Sequence, residues 1–200
     1  KKDLEYNSPV LQSHQKHPRG NELIKKYMER DYKVPEYFSD FIYVSQLLQA
    51  EGIALGIEAH RRAMPYCMGS LYWQLNDCWP AISWSGIDYS GKWKALQYFA
   101  SKDFNNIILS PNLQNDTLRI YSVSDSLKSF NAELLLQLMD FNGIILKTQK
   151  INCNIEKNSS QKIIEIMGDA AGHGGDGLHL FRMDQLEFQL FHSGDIPDNP

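Results

Sequence analysis

Gly69-Ser-Leu-Tyr-Trp-Gln-Leu-Asn-Asp-Cys-Trp-Pro-Ala-Ile-Ser-Trp84 is the stretch that decides the fold of this 200-residue chain. The part from Met68 to Leu75 is an almost unbroken apolar run, interrupted mainly by Gln74, and turn-forming residues bound it. A run so short and so apolar is typical of a strand covered on both faces, as in a parallel α/β sheet. We therefore predict a buried strand over residues 68–76.

Aromatic and amide side chains gather at the carboxyl end of this predicted strand. Trp73, Trp79 and Trp84 are three of the four tryptophans in the chain, and Asn76 and Asp77 stand among them. In α/β barrels the carboxyl ends of the strands carry the functional site. An indole ring stacks on the apolar C–H face of a sugar, while amides and carboxylates bind its hydroxyl groups. The pattern predicts a carbohydrate site here.

Composition and charge argue against several other functions. The net charge is −4 and no block of basic residues occurs, which argues against nucleic acid as a partner. No apolar run reaches the length of about 18 residues that a membrane span needs, so we expect no membrane partner. An apolar fraction of 42% over 200 residues suffices for a core in one or two domains.

The cysteines and histidines indicate neither a disulfide framework nor a metal site. Cys67, Cys78 and Cys153 are odd in number and widely spaced, so we interpret them as buried or isolated thiols. His14 and His17 lie three positions apart but have no third ligand beside them, and a polar loop is the preferred interpretation. We expect no metal and no cofactor.

Helical periodicity dominates the first half of the chain. Residues 1–38 read as irregular apart from a short helix within 22–28. Residues 39–62 form the clearest helix, with Ser39 as its N-cap, and residues 92–99 form another. The apolar stripe of the long helix consists of Phe41, Val44, Leu48 and Leu55, with Leu47, Ile53 and Ile57 beside them.

The period changes in the second half, which indicates a β-sandwich. Asn, Pro and Ser between residues 104 and 116 mark a domain boundary. Asn142-Gly143 predicts a hairpin with a two-residue turn. The strands are predicted over residues 117–123, part of 131–141, and 144–151, with further strand over 151–155 and 161–167 and one or two more strands within 178–191. The glycine-rich run that starts at Gly168 reads as a flexible loop.

Residues 69–100 resemble the end of the catalytic barrel of the β-mannosidases of glycoside hydrolase family two. The Tyr-Trp-Gln-Leu-Asn-Asp run at 72–77 and the Gly-Lys-Trp-Lys-Ala-Leu run at 91–96 carry the resemblance. The helix over 43–62 and the His-Gln-Lys-His segment that starts at His14 are similar to neighbouring parts of that family. The resemblance extends from about residue 5 to about residue 166.

This resemblance implies an architecture of α/β followed by all-β. Residues 1–104 would be the C-terminal portion of a (β/α)8 barrel, that is, the loop after strand seven, helix seven, strand eight and helix eight. Residues 105–167 would begin an immunoglobulin-like β-sandwich, which is partial because about 100 residues complete such a fold. Residues 168–200 match no part of the family and remain a glycine-rich tail without an assignment.

The resemblance also implies an activity. The family removes terminal, non-reducing β-D-mannose residues from oligosaccharides with retention, which needs two carboxylates about 5–5.5 Å apart. Both are glutamates in Asn-Glu and Ser-Glu motifs at strands four and seven. The nearest pattern here, Gly20-Asn-Glu22, lies in a segment that is similar to another part of the family. Both catalytic glutamates are therefore expected to lie outside this chain.

Within this frame the expected substrate-binding residues are Trp73, Asn76, Asp77 and Trp84. Trp73 would be the platform for the −1 mannose, Trp84 would wall the pocket, and Asn76 and Asp77 would bind hydroxyls or brace the strand end. The expected partners are a mannose-containing oligosaccharide and the remainder of a β-mannosidase chain. The family implies a lysosomal compartment in animals and a periplasmic or extracellular one in bacteria.

Two alternatives stay open. The chain is a non-catalytic carbohydrate-binding or interaction module that keeps the tryptophans, or a carboxylate pair such as Glu58 with Asp77 acts unaided. Mannose binding without hydrolysis favours the first alternative, and hydrolysis by the chain alone favours the second.

Overall fold

The computed structural model describes residues 5, 7–115, 117–140, 142–167 and 186–192. It divides the chain into two compact units, which we call the helical unit (residues 1–59 and 69–104) and the sandwich unit (residues 60–68 and 105–200). In the described residues the helices are α1 (Pro9–His14), α2 (Gly20–Asp31), α3 (Phe38–Arg62) and α4 (Ala95–Asp103), and the strands are β1 (Ile107–Gln114), β2 (Thr117–Ser124), β3 (Phe130–Met139), β4 (Ile145–Ile155), β5 (Ser159–Met167) and β6 (Leu186–His192).

The long helix α3 confirms the prediction from periodicity, with two corrections. Ala50, Ala54 and Ile57 are buried at the i, i+4 and i+7 spacing of one helix face. Leu55, which was predicted in the stripe, is exposed because it projects from the opposite side. The helix begins at Phe38, so Ser39 lies inside the first turn and is not the N-cap.

The segment before α2 holds a helix that the sequence analysis treated as irregular. In α1 the Ser8 hydroxyl accepts a hydrogen bond from the backbone N–H of Leu11, and Pro9 occupies the first helical position. Both features are ordinary start signals of a helix. The predicted helices at 22–28 and 92–99 are present as α2 and α4, with α2 longer at both ends and α4 beginning later.

The predicted buried strand over residues 68–76 is wrong for this chain. The segment is not paired as a strand, and Leu71 is fully exposed. A strand exists only where neighbouring backbones accept its hydrogen bonds. Among the described residues, Asn76 and Ile87 form only an isolated bridge there. Side-chain exposure nevertheless alternates from Leu71 to Leu75, the period of an extended backbone.

The strands of the sandwich unit form two three-stranded antiparallel sheets within the described residues. One has the order β1-β2-β5 and the other β4-β3-β6. The hairpin of β3 and β4 is confirmed, but the strands end at Met139 and resume at Ile145, so its turn is longer than two residues. Asp140 accepts backbone hydrogen bonds from Asn142 and Ile144, and Gly143 has a φ of 83°, which an L side chain rarely adopts.

A single apolar cluster joins the two sheets. Leu118 and Ile120 come from β2, and Leu134 and Leu136 come from β3. The partly buried residues packed against them are Leu109, Ile151, Cys153, Ile163, Ile164 and Ile166. Both sheets therefore bury their inner faces against each other, which is the arrangement of a sandwich.

The edge strand β1 was missed because its composition resembles a loop. Pro111 sits in its middle and has no N–H to donate to a ladder. The strand pairs with β2 and, in the described part of the sheet, has its other side free, so the missing donor is tolerated at the edge. The predicted glycine-rich loop and residues 178–185 lie outside the described residues, and β6 accounts for the strand expected near 191.

Candidate functional site

Three of the four predicted site residues, Asn76, Asp77 and Trp84, lie in a loop of the helical unit, residues 76–87, and Trp73 precedes this loop. The two ends of the loop are joined by backbone hydrogen bonds. The N–H of Gly86 donates to the carbonyl of Gln74 at 3.0 Å, and the N–H of Ile87 donates to the carbonyl of Leu75 at 2.9 Å. The N–H of Asp77 donates back to the carbonyl of Ile87 at 3.0 Å. These bonds close the loop at its base.

Gly86 lies close to α4 where the loop returns. A Cβ atom built at this position would lie 2.6 Å from the side-chain oxygen of Gln97, so a larger residue would require that side chain to move. Gln97 accepts a hydrogen bond from the Tyr72 hydroxyl at 3.1 Å, which such a movement would disturb. The loop therefore returns close against α4 at a position that suits a small residue.

A buried polar cluster fills the inside of the loop. Asp77 is 5% exposed, and its two carboxylate oxygens accept hydrogen bonds from the Ser83 hydroxyl at 2.5 Å and the Ser85 hydroxyl at 2.6 Å. The Lys94 ammonium donates to Asp77 at 2.9 Å and to Ser85 at 2.7 Å. Every charge in this cluster has a partner, as a buried charge requires. We call these four residues the Asp77 cluster.

The Asp77 carboxylate stays ionised in this cluster. Burial alone raises the pKa of a carboxyl group, but hydrogen bonds from Ser83, Ser85 and Lys94 together outweigh it and lower the pKa of Asp77 below its ordinary value. The oxygens therefore serve as fixed acceptors inside the chain. Of the two roles expected for Asp77, this geometry favours bracing over direct binding of sugar hydroxyls.

Lys94 occupies an unusual place for a lysine. It is the N-cap of α4, where Ser, Thr, Asp and Asn are preferred, and its side chain makes no capping hydrogen bond. A cation at the start of a helix is also opposed by the helix dipole. The capping acceptor comes instead from Gln46 on α3, whose side-chain oxygen accepts from the N–H of Ala95 at 3.1 Å.

The other side chains that are predicted to bind the carbohydrate lie outside this cluster. Trp73 is 73% exposed and Trp84 is 45% exposed, and Asn76 is exposed as well. The carbonyl of Trp84 accepts a hydrogen bond from the Gln49 side chain at 2.7 Å, which fixes its backbone to α3. The Asn76 amide donates to the carbonyl of Asp77 at 3.3 Å. The peptide bond between Trp73 and Gln74 is cis.

The remaining part of the loop packs against the end of α1. The rings of His14 and Trp79 stack with centroids 4.4 Å apart, and His14 Nδ1 lies 2.7 Å from the carbonyl oxygen of Pro80. The Lys16 ammonium lies 5.4 Å from the centre of the Trp79 ring. His14 therefore helps to hold the loop. Its interpretation as a polar loop residue is wrong, because it is the last residue of α1.

Neither Asp77 nor Glu22 is arranged for catalysis. Asp77 is buried, paired and held ionised, so it is neither a general acid nor an accessible base. Glu22 forms an exposed ion pair with Arg19, whose hydrogen bond lowers the pKa of the carboxyl group, whereas a general acid needs a raised one. Ser85 lies beside Lys94 but is fully buried, so it is no nucleophile.

The described residues hold no group of three or more His, Cys, Asp and Glu side chains that suits a metal ion. Within the same residues, each helix is too short or too polar to cross a membrane. The three cysteines form no disulfide bond.

The structure brings Asp77 together with residues that the sequence analysis missed. Ser83, Ser85 and Lys94 were not singled out, and neither was Gln49. One signal was available: a lysine directly before an apolar helical run is a poor N-cap and therefore needs another explanation. Within the described residues, the indole rings of Trp73 and Trp84 take no part in the Asp77 cluster.

Comparison with known proteins identifies relatives for both units. Residues 116–176 match the family described as Mannosidase Ig/CBM-like domain. Over 81% of its length, this chain is 30% identical to the β-mannosidase of Mus musculus. Over 62% of its length, it is 36% identical to the β-mannosidase of Capra hircus. It spans only 20% and 16% of those two proteins.

A solved structure shows the same fold. The β-D-mannosidase of Dictyoglomus thermophilum superposes with a TM-score of 0.84 and 30% identity, over 97% of this chain and 23% of that protein. The exo-chitosanase of Amycolatopsis orientalis, at 17% identity and a TM-score of 0.62, shares the fold over 72% of this chain.

Proposed function

We propose that this chain, which is a homologue of part of the β-mannosidases, presents the −1 sugar platform of a retaining exo-β-mannosidase. The substrate would be a terminal, non-reducing β-D-mannose residue of an oligosaccharide. Trp73 would stack on the apolar face of the mannose ring, Asn76 would bind its hydroxyl groups, and Trp84 would wall the pocket. Asp77 would brace the loop that carries Asn76 and Trp84.

The exposure of these side chains is the observation that carries the proposal. Trp73 shows 73% of its surface to solvent although it is the largest kind of apolar side chain. Exposed aromatic surface on an ordered loop commonly marks a binding site. The loop that follows Trp73 is anchored by the Asp77 cluster and by Gln49, so Asn76 and Trp84 are held in place before a ligand arrives.

Catalysis would need groups from the remainder of a longer chain. Retaining glycosidases use one carboxylate as acid/base and another as nucleophile. Asp77 and Glu22 already form ion pairs. The catalytic glutamates of the homologues would therefore be supplied from outside these 200 residues, and the chain alone would be inactive.

The same proposal gives the exposed apolar residues before the loop a role. Leu71 and Leu75 lie on the side of residues 71–75 that carries Trp73, and each is well exposed. In a complete (β/α)8 barrel the neighbouring strands would pair with this segment and cover these side chains. The helical unit would then be the C-terminal portion of such a barrel, and the sandwich unit the immunoglobulin-like domain that follows it.

The test combines hydrolysis and binding on one sample of the purified chain. We expect no release of p-nitrophenol from p-nitrophenyl β-D-mannopyranoside, and calorimetric binding of mannose that disappears in Trp73→Ala. Trp93→Ala is the matched control, because Trp93 is also exposed but packs its ring against Tyr98. Turnover by the chain alone would contradict the proposal that its acids are not catalytic.

A second candidate function is a non-catalytic carbohydrate-binding or interaction module. The match of residues 116–176 to an Ig/CBM-like family favours it, since that description covers binding domains. Mannose binding that survives Trp73→Ala would support this candidate, because the sugar would then bind elsewhere. Binding that disappears in Trp73→Ala supports the barrel-derived platform.

A further inference from the structure

The Asp77 cluster has more consequences for the loop than packing alone. Ser83 and Ser85 both direct their hydroxyls at the Asp77 carboxylate, at 2.5 Å and 2.6 Å. Trp84 stands between them and is 45% exposed, so its ring projects away from the cluster. Asn76, directly before the buried Asp77, is likewise exposed. Because the side chains of Ser83 and Ser85 point inward, the side chain of Trp84 between them points outward, as in an extended backbone.

A stabilising role alone explains the cluster poorly. A buried ion pair is often no better for stability than well-packed apolar residues of similar volume, because both charges lose their hydration. Lys94 also occupies the N-cap position of α4 without forming a capping hydrogen bond, and it places a cation at the start of a helix. Buried charge pairs fix geometry more sharply than apolar contacts, since their hydrogen bonds are directional.

We propose that Asp77 and Lys94 are positioning residues, which hold the loop of residues 76–87 so that Asn76 and Trp84 face the substrate. They would act through Ser83 and Ser85 and would not touch the sugar themselves. The part of this inference that concerns sugar affinity rests on the function proposed above. The part that concerns the direction of Trp84 stands on the geometry alone.

The variant that separates positioning from stability is the paired replacement Asp77→Leu with Lys94→Met. It removes both charges and leaves apolar side chains of similar size, so no unpaired charge stays buried. The Ser83 hydroxyl can still donate to that of Ser85, which lies 3.1 Å away. The matched control is Arg19→Met with Glu22→Leu, which removes an ion pair of 63% and 62% side-chain exposure elsewhere in the helical unit. Lys94→Arg keeps the positive charge and serves as the conservative variant.

The readout is the ¹⁹F NMR spectrum of each protein labelled with 5-fluorotryptophan, with resonances assigned by single Trp→Phe variants. In the paired variant we expect the Trp84 resonance to move and broaden while the Trp93 resonance stays in place. The control pair should leave both unchanged, and Lys94→Arg should leave the Trp84 resonance close to its original position. An unchanged Trp84 resonance in the paired variant would overturn the proposal.

A mannose titration on the same samples tests the sugar part separately. Residues that orient a binding group commonly change affinity by about 10- to 100-fold in metal sites, and we expect a loss of about 10-fold here in the paired variant. If the unaltered chain binds no mannose, the proposed function fails, and the Trp84 resonance alone decides on positioning. Mannose affinity that is unchanged in the paired variant contradicts a positioning role in binding.

Discussion

The sandwich unit and the stretch of residues 69–94 are ordered by different physics. In the sandwich unit, Leu118, Ile120 and Leu134 are completely buried between two sheets of the same chain. In residues 69–94, the largest apolar side chains are exposed, and the buried centre is the charged and hydroxylic Asp77 cluster. The sandwich unit buries its large apolar side chains within the chain, whereas residues 69–94 leave theirs exposed to solvent.

The two regions therefore depend on contacts from outside the chain to different degrees. An apolar core of this kind supports a domain without further partners, because burial of apolar area is its main driving force. A polar cluster gives direction to a loop but adds little net stability. The sandwich unit is therefore expected to be self-sufficient, and residues 69–94 to need contacts from outside the chain.

The largest effect is expected from breaking the Asp77 cluster on one side only. Lys94→Met leaves the buried Asp77 carboxylate without its counter-ion, and such changes typically reduce stability by about 3–5 kcal/mol. Amide hydrogen exchange at Ile87, whose N–H closes the base of the loop, measures the effect locally. Unchanged protection of that amide would mean that the cluster does not order the loop.

A comparable effect is expected in the sandwich unit from Leu134→Ala. The side chain is fully buried in the cluster that joins the two sheets, and such truncations reduce stability by about 2–5 kcal/mol. Exchange at the β2 amides reports it. The matched control is Leu71→Ala, which removes the same atoms from a fully exposed site and should change stability by less than about 0.5 kcal/mol. Equal effects at both positions would refute the contrast between the regions.

A graded effect is expected from acid. Because the pKa of Asp77 is lowered on folding, its contribution to stability is fully present above the pKa of about 4 of an unfolded aspartate and is lost as pH falls through the lowered folded value. Protection of the Ile87 amide, corrected for the intrinsic pH dependence of exchange, should decline in that range. The decline should be absent in Asp77→Asn, which has no titrating group; its persistence there would assign it to another acid.

The smallest effect on stability, but a clear one on association, is expected from Leu71→Lys. We expect the unaltered chain to self-associate through its exposed apolar residues, and a charge at Leu71 should shift sedimentation toward monomer. Leu127→Lys is the control, because Leu127 is 85% exposed in the sandwich unit. A monomeric unaltered chain, or an equal shift in both variants, would contradict the assignment of self-association to the exposed apolar residues of 69–94.

Local patterns were sufficient for most of the helices and the sandwich. The 3.6-residue period of α3 and the alternation in β2 to β5 are properties of short segments, so they can be read before the partner of each segment is known. The start of α1 was also readable, since Ser8 and Pro9 are a cap and a first-turn proline. The edge strand β1 was hidden by Pro111, which is tolerated because β1 pairs only with β2 in the part of the sheet that the structure describes.

The candidate site was less predictable because its geometry is tertiary. The apolar run at 68–75 indicated a strand, but strand pairing depends on neighbours that the described part of the chain does not provide. The sequence places Asp77 and Lys94 far apart, and only the fold of the loop brings them to 2.9 Å. The exposed tryptophans were identifiable by type, whereas the cluster that directs Trp84 was not.

The most direct test of the central claim is a mannose titration of the chain labelled with 5-fluorotryptophan, followed by ¹⁹F NMR. We predict that the Trp73 and Trp84 resonances shift with increasing mannose in a saturable way, while the Trp93 resonance does not move. Saturable shifts that spare Trp73, or a spectrum that mannose does not alter, would contradict the claim that this stretch forms a sugar platform.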